Sequence, residues 1–293
     1  MGAGIVDAGL KRYTVNFLFL QARRTPDVPS QIILDVTRLL RQRGHHVVSS
    51  IPEEELLGLH ETPAAFDLYL LKSYTELSLS VAGALSARGA SLINPYHGCL
   101  SARNKIVCYQ VLKEAGVPVP DSWITGDPEM LKPLLQRGPI IVKPHMGWRG
   151  EGIRIIRQPA EIDSLPRFTS PPLVQEYIEN DGEDLRLYVA GEEVFGIRKR
   201  FSSTSFARDG EPVAVSPELR RIALSCGRAF SLKLYGVDII EGADGPRVVD
   251  VNYFPGYKGV PGAACAVADC IENHARSAGA LLQPAMSNLE AVQ

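Results

Sequence analysis

Residues 237–257 read Val237-Asp238-Ile239-Ile240-Glu241-Gly242-Ala243-Asp244-Gly245-Pro246-Arg247-Val248-Val249-Asp250-Val251-Asn252-Tyr253-Phe254-Pro255-Gly256-Tyr257. Two apolar runs flank Asp244-Gly245, the dipeptide of a tight hairpin turn. The pattern predicts strands over 237–241 and 247–251, then a Pro/Gly loop over 252–262. Side chains two apart in a strand share a face, so Asp250 and Asn252 point the same way. Asp238 sits between Val237 and Ile239 in the other strand, where a carboxylate needs a partner. If the strands pair, Asp238, Asp250 and Asn252 converge as an oxygen-only donor set. Together with nucleotide phosphates, such a set suits Mg²⁺, which seldom receives an all-protein cage.

Upstream lie two lysines suited to phosphate oxygens. Lys143 ends the strand Ile140-Ile141-Val142-Lys143 and runs into Pro144-His145-Met146-Gly147-Trp148-Arg149-Gly150-Glu151-Gly152. Gly147, Gly150 and Gly152 let backbone N–H groups approach a phosphate without side-chain hindrance. The run is not a P-loop, because no Gly-Lys-Ser/Thr follows, and taken alone it is an ordinary glycine turn. Lys105 falls within a predicted helix over 101–115. A third group is Gln175-Glu176-Tyr177-Ile178 followed by Asp184-Leu185-Arg186, a strand with groups for an adenine edge and a ribose hydroxyl, or a plain amphipathic strand. Further strands are expected over 153–156, 173–178, 185–190 and 193–200. Helices are expected over 128–136 and 217–231, and a last helix follows residue 262.

The first third alternates strand and helix signals: strands over 15–20, 47–51, 67–71 and 92–94, with helices from Ser30 to Arg43 and from the capping-box spacing at Ser73-Tyr74-Thr75-Glu76 to Gly89. This is a small, mostly parallel α/β unit. No glycine-rich turn follows its first strand, so a dinucleotide site there is not expected.

Composition narrows the function. The chain has 293 residues, 45% hydrophobic and 22% charged, with 31 Lys+Arg against 33 Asp+Glu and a net charge of −2. That balance argues against a general nucleic-acid binder and against a polybasic membrane module. No signal peptide and no apolar stretch of membrane length is evident. Cys99, Cys108, Cys226, Cys265 and Cys270 are odd in number and form no CxxC pair. A disulfide framework or zinc ribbon is therefore not expected, and a reducing cytoplasm is.

The order of Lys105, Lys143 with its glycine loop, Gln175-Glu176-Tyr177-Ile178, Asp184-x-Arg186, Asp238, Asp250-x-Asn252 and Pro255-Gly256 resembles the ATP-grasp superfamily over roughly residues 100–271. The implied fold is α/β: an N-terminal parallel-sheet domain over 12–97, then two α+β subdomains over 98–285 that clasp ATP. A small lid would span about 118–178 and a C-terminal subdomain about 179–285. The resemblance implies ATP and Mg²⁺ (or Mn²⁺) as cofactors. Lys105 and Lys143, with Gly147, Gly150 and Gly152, would contact phosphates. Gln175, Glu176, Tyr177 and Ile178 would lie at the adenine, Tyr177 through its backbone, and Asp184 would hold the ribose. Asp238, Asp250 and Asn252 would bind the metal. Arg186, with one or more of Arg198, Lys199 and Arg200, would steady the γ-phosphate or the substrate, and Arg208 would match a later arginine.

Two branches compete. Val174 to Ile178, Asp184 to Arg186 and the 147–152 loop resemble RimK-like ligases, which add glutamate or similar amino acids to a carboxylate. The chain departs from them at Asp250, where Glu is usual, and at Ser202-Ser203-Thr204, where Arg-Ser-Asn is usual. Asp250 to Tyr257 resembles the inositol polyphosphate kinases. The favoured expectation is an amide-forming ligase working through an acylphosphate on a small-molecule or peptide anion. The alternative is a kinase of an inositol phosphate or related polyol. A non-catalytic nucleotide-binding regulator would not need the full metal set. A homodimer is the default assembly.

Overall fold

The N-terminal strands lie in one sheet because their side chains are apolar on both faces, as a sheet covered on both sides requires. In the computed structural model, which describes residues 14–23, 28–58, 66–147, 151–165, 167–200 and 210–282, the chain opens with β1 (Asn16–Gln21), α1 (Gln31–Gln42), β2 (His46–Ser50) and β3 (Leu68–Lys72). A short 3₁₀ turn at Pro52–Glu54 follows β2; α2 (Glu76–Ala87) and β4 (Leu92–Ile93) follow β3. The order β2-β1-β3-β4 is parallel throughout. Leu68, Tyr69, Leu70 and Leu71 of β3 are all buried. The α2 cap corrects the expected capping box: Thr75, not Ser73, accepts from the Ser78 N–H, and Ser73 bonds the Thr75 hydroxyl.

The expected helix over 101–115 is two helices, α3 (Tyr96–Arg103) and α4 (Lys105–Glu114). Asn104 breaks them: its backbone is extended and its side-chain oxygen accepts from the Ile106 and Val107 N–H groups. A short polar side chain that satisfies orphan N–H groups in this way is a favoured helix start. The break makes Lys105 the first residue of α4.

A small antiparallel unit follows where the lid is expected, and is called the lid below: β5 (Ser122–Ile124), a 3₁₀ helix at Pro128–Gln136, β6 (Ile140–Pro144), β7 (Arg154–Ile156), α5 (Pro159–Asp163) and β8 (Pro172–Glu176). Its strands are antiparallel in the order β5-β8-β6-β7. Then come β9 (Glu183–Ala190), β10 (Glu193–Arg200), β11 (Glu211–Val213), α6 (Pro217–Phe230), β12 (Leu234–Gly242), β13 (Gly245–Tyr253) and α7 (Ala263–Leu282). Their strands form an antiparallel sheet in the order β11-β10-β9-β12-β13. The expected hairpin is present, with one irregularity: Asp238 pairs Asp250 while Ile239 pairs Val248, so Val249 bulges. A bulge bends its strand and re-aims the neighbouring side chain.

Two seams join the first and last sheets. Buried Asn94 accepts from the Lys233 and Leu234 N–H groups and donates to the Leu234 carbonyl. Gly98 of α3 lies so close to α6 that a Cβ there would meet the Phe230 carbonyl oxygen at 2.1 Å. Among the described residues no helix is long and apolar enough to cross a membrane.

Candidate active site

The sheet register gathers charge at the centre of the C-terminal sheet. Arg186 lies opposite Asp238, and Asp238 opposite Asp250. Arg186 donates Nε to Asp238 Oδ1 at 2.5 Å and Nη2 to Oδ2 at 2.8 Å, a two-pronged ion pair. The Asp238 carboxylate, with burial against its charge, holds the guanidinium well above its ordinary pKa. Burial raises the Asp238 carboxyl, opposed by Arg186 and assisted by Asp250. Asp184 is likewise raised by burial and by Asp238, and its Oδ1 is buried with no hydrogen-bond partner among the described residues.

Both lysines reach this centre. Lys105 Nζ donates to Asp250 Oδ2 at 2.6 Å, while its backbone N–H donates to the His145 carbonyl of the lid at 2.9 Å. Burial works against the Lys105 charge, but Asp250 outweighs it and the ammonium is held above its ordinary value. Lys143 is buried and donates to Gln175 Oε1 at 2.7 Å. Burial pushes it down to about 8, with Asp250 pulling upward and Lys105 downward. Lys105, Gln175 and Asp250 line one cleft between the lid and the C-terminal sheet, with Cys108, Leu112, Val119, Leu173 and Val248 as its apolar wall.

Other expected residues stand elsewhere or are engaged. Asn252 follows Asp250 on β13, opposite Gly236. Glu176 accepts from the Asp121 N–H at 3.1 Å. The Tyr177 N–H donates to the Pro139 carbonyl, and its ring lies 4.9 Å from the Arg157 guanidinium. The Ile178 carbonyl accepts from Asn180. Gly147 and Gly152 fold back onto Pro144; Gly152 has φ +75° and a Cβ there would meet the Pro144 ring at 2.8 Å. Gly150, Trp148, Arg149 and Arg208 lie outside the described residues.

Arg198 and Arg200 are corrected by strand alternation. Ile197 and Lys199 lie opposite Arg186 and Asp184, so Arg198 and Arg200 point to the other face. There Arg198 pairs with Glu241 at 2.6 Å and Arg200 with Glu183 at 3.5 Å. Buried Lys199 is the basic side chain of that run on the Arg186 face, and the period-two pattern of the run carried this signal. Ser122, which bonds Gln175 at 2.9 Å, had no comparable signal, because a three-residue strand shows no period.

Among the described residues no group of three or more His, Cys, Asp or Glu is placed to hold a metal. The donors present are two facing carboxylates and the amide of Asn252. That set fits Mg²⁺ when the remaining oxygens come from a nucleotide.

Known proteins share this architecture. A RimK domain ATP-grasp protein from Sphaerobacter thermophilus superimposes with a TM-score of 0.70 at 19% identity, over 89% of this chain and 99% of that one. The ATP-grasp ligase PsnB, complexed with a phosphomimetic variant of its minimal precursor, Mg and ADP, gives 0.67 at 22% identity, over 89% and 99%. The fold is thus that of the ATP-grasp proteins. A family model of the RimK-like ATP-grasp domain matches residues 102–268. A probable alpha-L-glutamate ligase from Pseudoalteromonas translucida is 30% identical over 257 residues, covering 80% of this chain and 85% of that protein. The chain belongs to the RimK-like ATP-grasp family, and it is an ATP-dependent, amide-forming enzyme.

Proposed function

We propose that the chain joins a carboxylate to the amine of an amino acid, glutamate being the first candidate, through an acylphosphate. The carrying observation is the pair of neighbouring ion pairs, Lys105 with Asp250 and Arg186 with Asp238, beside a cleft that Lys105 and Asp250 share with Gln175, the partner of buried Lys143. Lys105 and Lys143 meet phosphate oxygens. Gln175, Glu176, Tyr177 and Ile178 border the adenine, and Asp184 meets the ribose through its unpartnered oxygen. Mg²⁺ (or Mn²⁺) held by Asp238, Asp250 and Asn252 would neutralise charge on the transferring phosphoryl group.

The acceptor carboxylate oxygen attacks the γ-phosphorus and ADP leaves. The amine then attacks the carbonyl carbon, inorganic phosphate leaves with the electron pair of the C–O bond, and the amine proton passes to it. Phosphoryl transfer of this kind needs positioning and charge neutralisation more than a protein nucleophile. In this reading Arg186, fixed by Asp238, steadies the charge that builds in both steps. Relatives with related names support peptides or proteins as acceptors: PsnB is complexed with a precursor, and a relative from Shigella flexneri is a ribosomal protein bS6–L-glutamate ligase.

The kinase-like run Asp250 to Tyr257 has a packing explanation. Tyr253, Phe254 and Tyr257 are buried; Phe254 packs on Phe19, and Tyr253 and Tyr257 donate to the Ser73 and Val189 carbonyls. Purified protein with γ-labelled ATP, Mg²⁺, L-glutamate and a panel of carboxylate-ended peptides tests the proposal. Label in free phosphate, matched by ADP and dependent on both organic substrates, is expected. Label retained on an organic product would replace the ligase by a kinase.

A further inference from the structure

Three lid side chains form a hydrogen-bond chain with a single direction. The Ser122 hydroxyl donates to the Pro120 carbonyl at 3.0 Å. Its proton is thereby committed, and its oxygen offers only lone pairs to its other neighbour. Gln175 Nε2 donates to that oxygen at 2.9 Å. With the amide nitrogen fixed there, Gln175 Oε1 faces the opposite way and accepts from Lys143 Nζ at 2.7 Å. Ser122 and Gln175 are directly opposed across β5 and β8, and Gln175 is opposed to Ile141, two residues before Lys143.

The orientation matters because the site is closed. Gln175 is 2% exposed and Lys143 7% exposed. A glutamine amide has nearly the same shape either way round. Reversed, it would aim N–H donors at an ammonium, and a buried donor left without an acceptor is costly. Among the described residues Lys143 forms no ion pair, so the bond to Gln175 is what aims it. Burial has already weakened the hold of this ammonium on its proton, which makes each acceptor count for more.

We propose that Ser122 is a positioning residue: it holds Gln175 in the one amide orientation that accepts from Lys143, and so aims the Lys143 ammonium into the cleft beside Asp250. Ser122 touches neither nucleotide nor substrate in this arrangement; it acts through two side chains. The inference rests on the phosphate role proposed above for Lys143.

Calorimetric titration of the full chain with MgADP tests it. Ser122→Ala should weaken binding about fivefold, the size of one lost hydrogen bond. Ser122→Thr keeps the hydroxyl in a strand-compatible side chain and should restore wild-type affinity. In a Gln175→Glu background either carboxylate oxygen accepts from Lys143, so adding Ser122→Ala should change nothing further. In a Lys143→Met background it should likewise add nothing. Wild-type affinity in Ser122→Ala, equal losses in the Ala and Thr variants, or an undiminished loss in the Gln175→Glu or Lys143→Met background would each overturn the proposal. Those results, with Lys143→Met itself weak, would leave the phosphate role standing. Wild-type MgADP affinity in Lys143→Met would instead remove the phosphate role of Lys143, and with it the basis of the positioning.

Discussion

The lid sheet rests on a core of its own, whereas the two other sheets share theirs. Leu131, Ile140, Val142, Ile156, Ile162 and Val174 pack together, and all belong to the lid. A second core mixes Leu20, Tyr69 and Leu71 of the N-terminal sheet with Leu187, Val189 and Val237 of the C-terminal sheet. A third does the same with Phe17, Phe19 and Leu70 against Tyr188 and Leu234, and adds Ile271 of α7. Asn94, Gly98 and the pairing of Arg43 with Asp269 and Glu272 add to this junction. Shared apolar burial makes the N-terminal and C-terminal sheets one cooperative body; the small separate core leaves the lid as the part with independent freedom. The cleft lined by Lys105, Gln175 and Asp250 lies along that division, where closure of the proposed lid would exclude water.

The comparison can be broken or sharpened at several points. The largest effect is expected at Asp250, which belongs to the body yet meets Lys105 and lies near Lys143. Asp250→Ala should lower Mg²⁺-dependent turnover by about 10³-fold or more, measured as ADP release; turnover at the wild-type rate would remove the metal role. Leu131→Ala should cost about 3 kcal/mol, and hydrogen exchange should show the loss in lid strands β6 and β8 while β1 and β9 keep their protection. Equal loss in both regions would merge lid and body.

Asn94→Ala should cost about 2 kcal/mol, because it strands two backbone N–H groups at the junction, whereas the Leu234 carbonyl keeps the Phe254 N–H. Thermal unfolding should still show one body transition, lowered, with β1 and β12 losing protection together. Separate transitions for the two sheets would divide the body. The smallest effect concerns pH. Burial lowers Lys143 to about 8, so the nucleotide-free ammonium is charged below that value and neutral above it. MgADP affinity should therefore fall about tenfold between pH 7 and 9, and the fall should vanish in Lys143→Met. For stability the sign is opposite: folding favours the neutral amine, so the penalty for burying the charge lessens as pH rises through the window from about 8 toward the ordinary lysine range.

Much of this architecture could be read from residue patterns. Apolar runs at β1 and β3, the 3.6-residue stripe of α1 and the Asp244-Gly245 turn carry period and turn chemistry within a few residues. The acidic pair was legible because a lone aspartate in an apolar strand demands a partner. What escaped depends on contacts distant in sequence. Strands β5 and β11 have three residues each and owe their existence to longer neighbours. The break at Asn104 sits inside a good helical pattern, and only the path of the chain toward the lid selects a cap there. The Val249 bulge leaves no trace in composition. For Arg198 and Arg200 the two-residue alternation of β10 already sets them on the face opposite Lys199 and Arg186.

Lys105 is tied at both ends, its main chain to His145 of the lid and its tip to Asp250 of the body. In mechanical terms it is a tie rod across the boundary between the two units. Its length is that of one side chain, so a lid that swings farther than this must release one anchor. Any shift of His145 is therefore passed to Asp250 through one residue, with no relay through the fold.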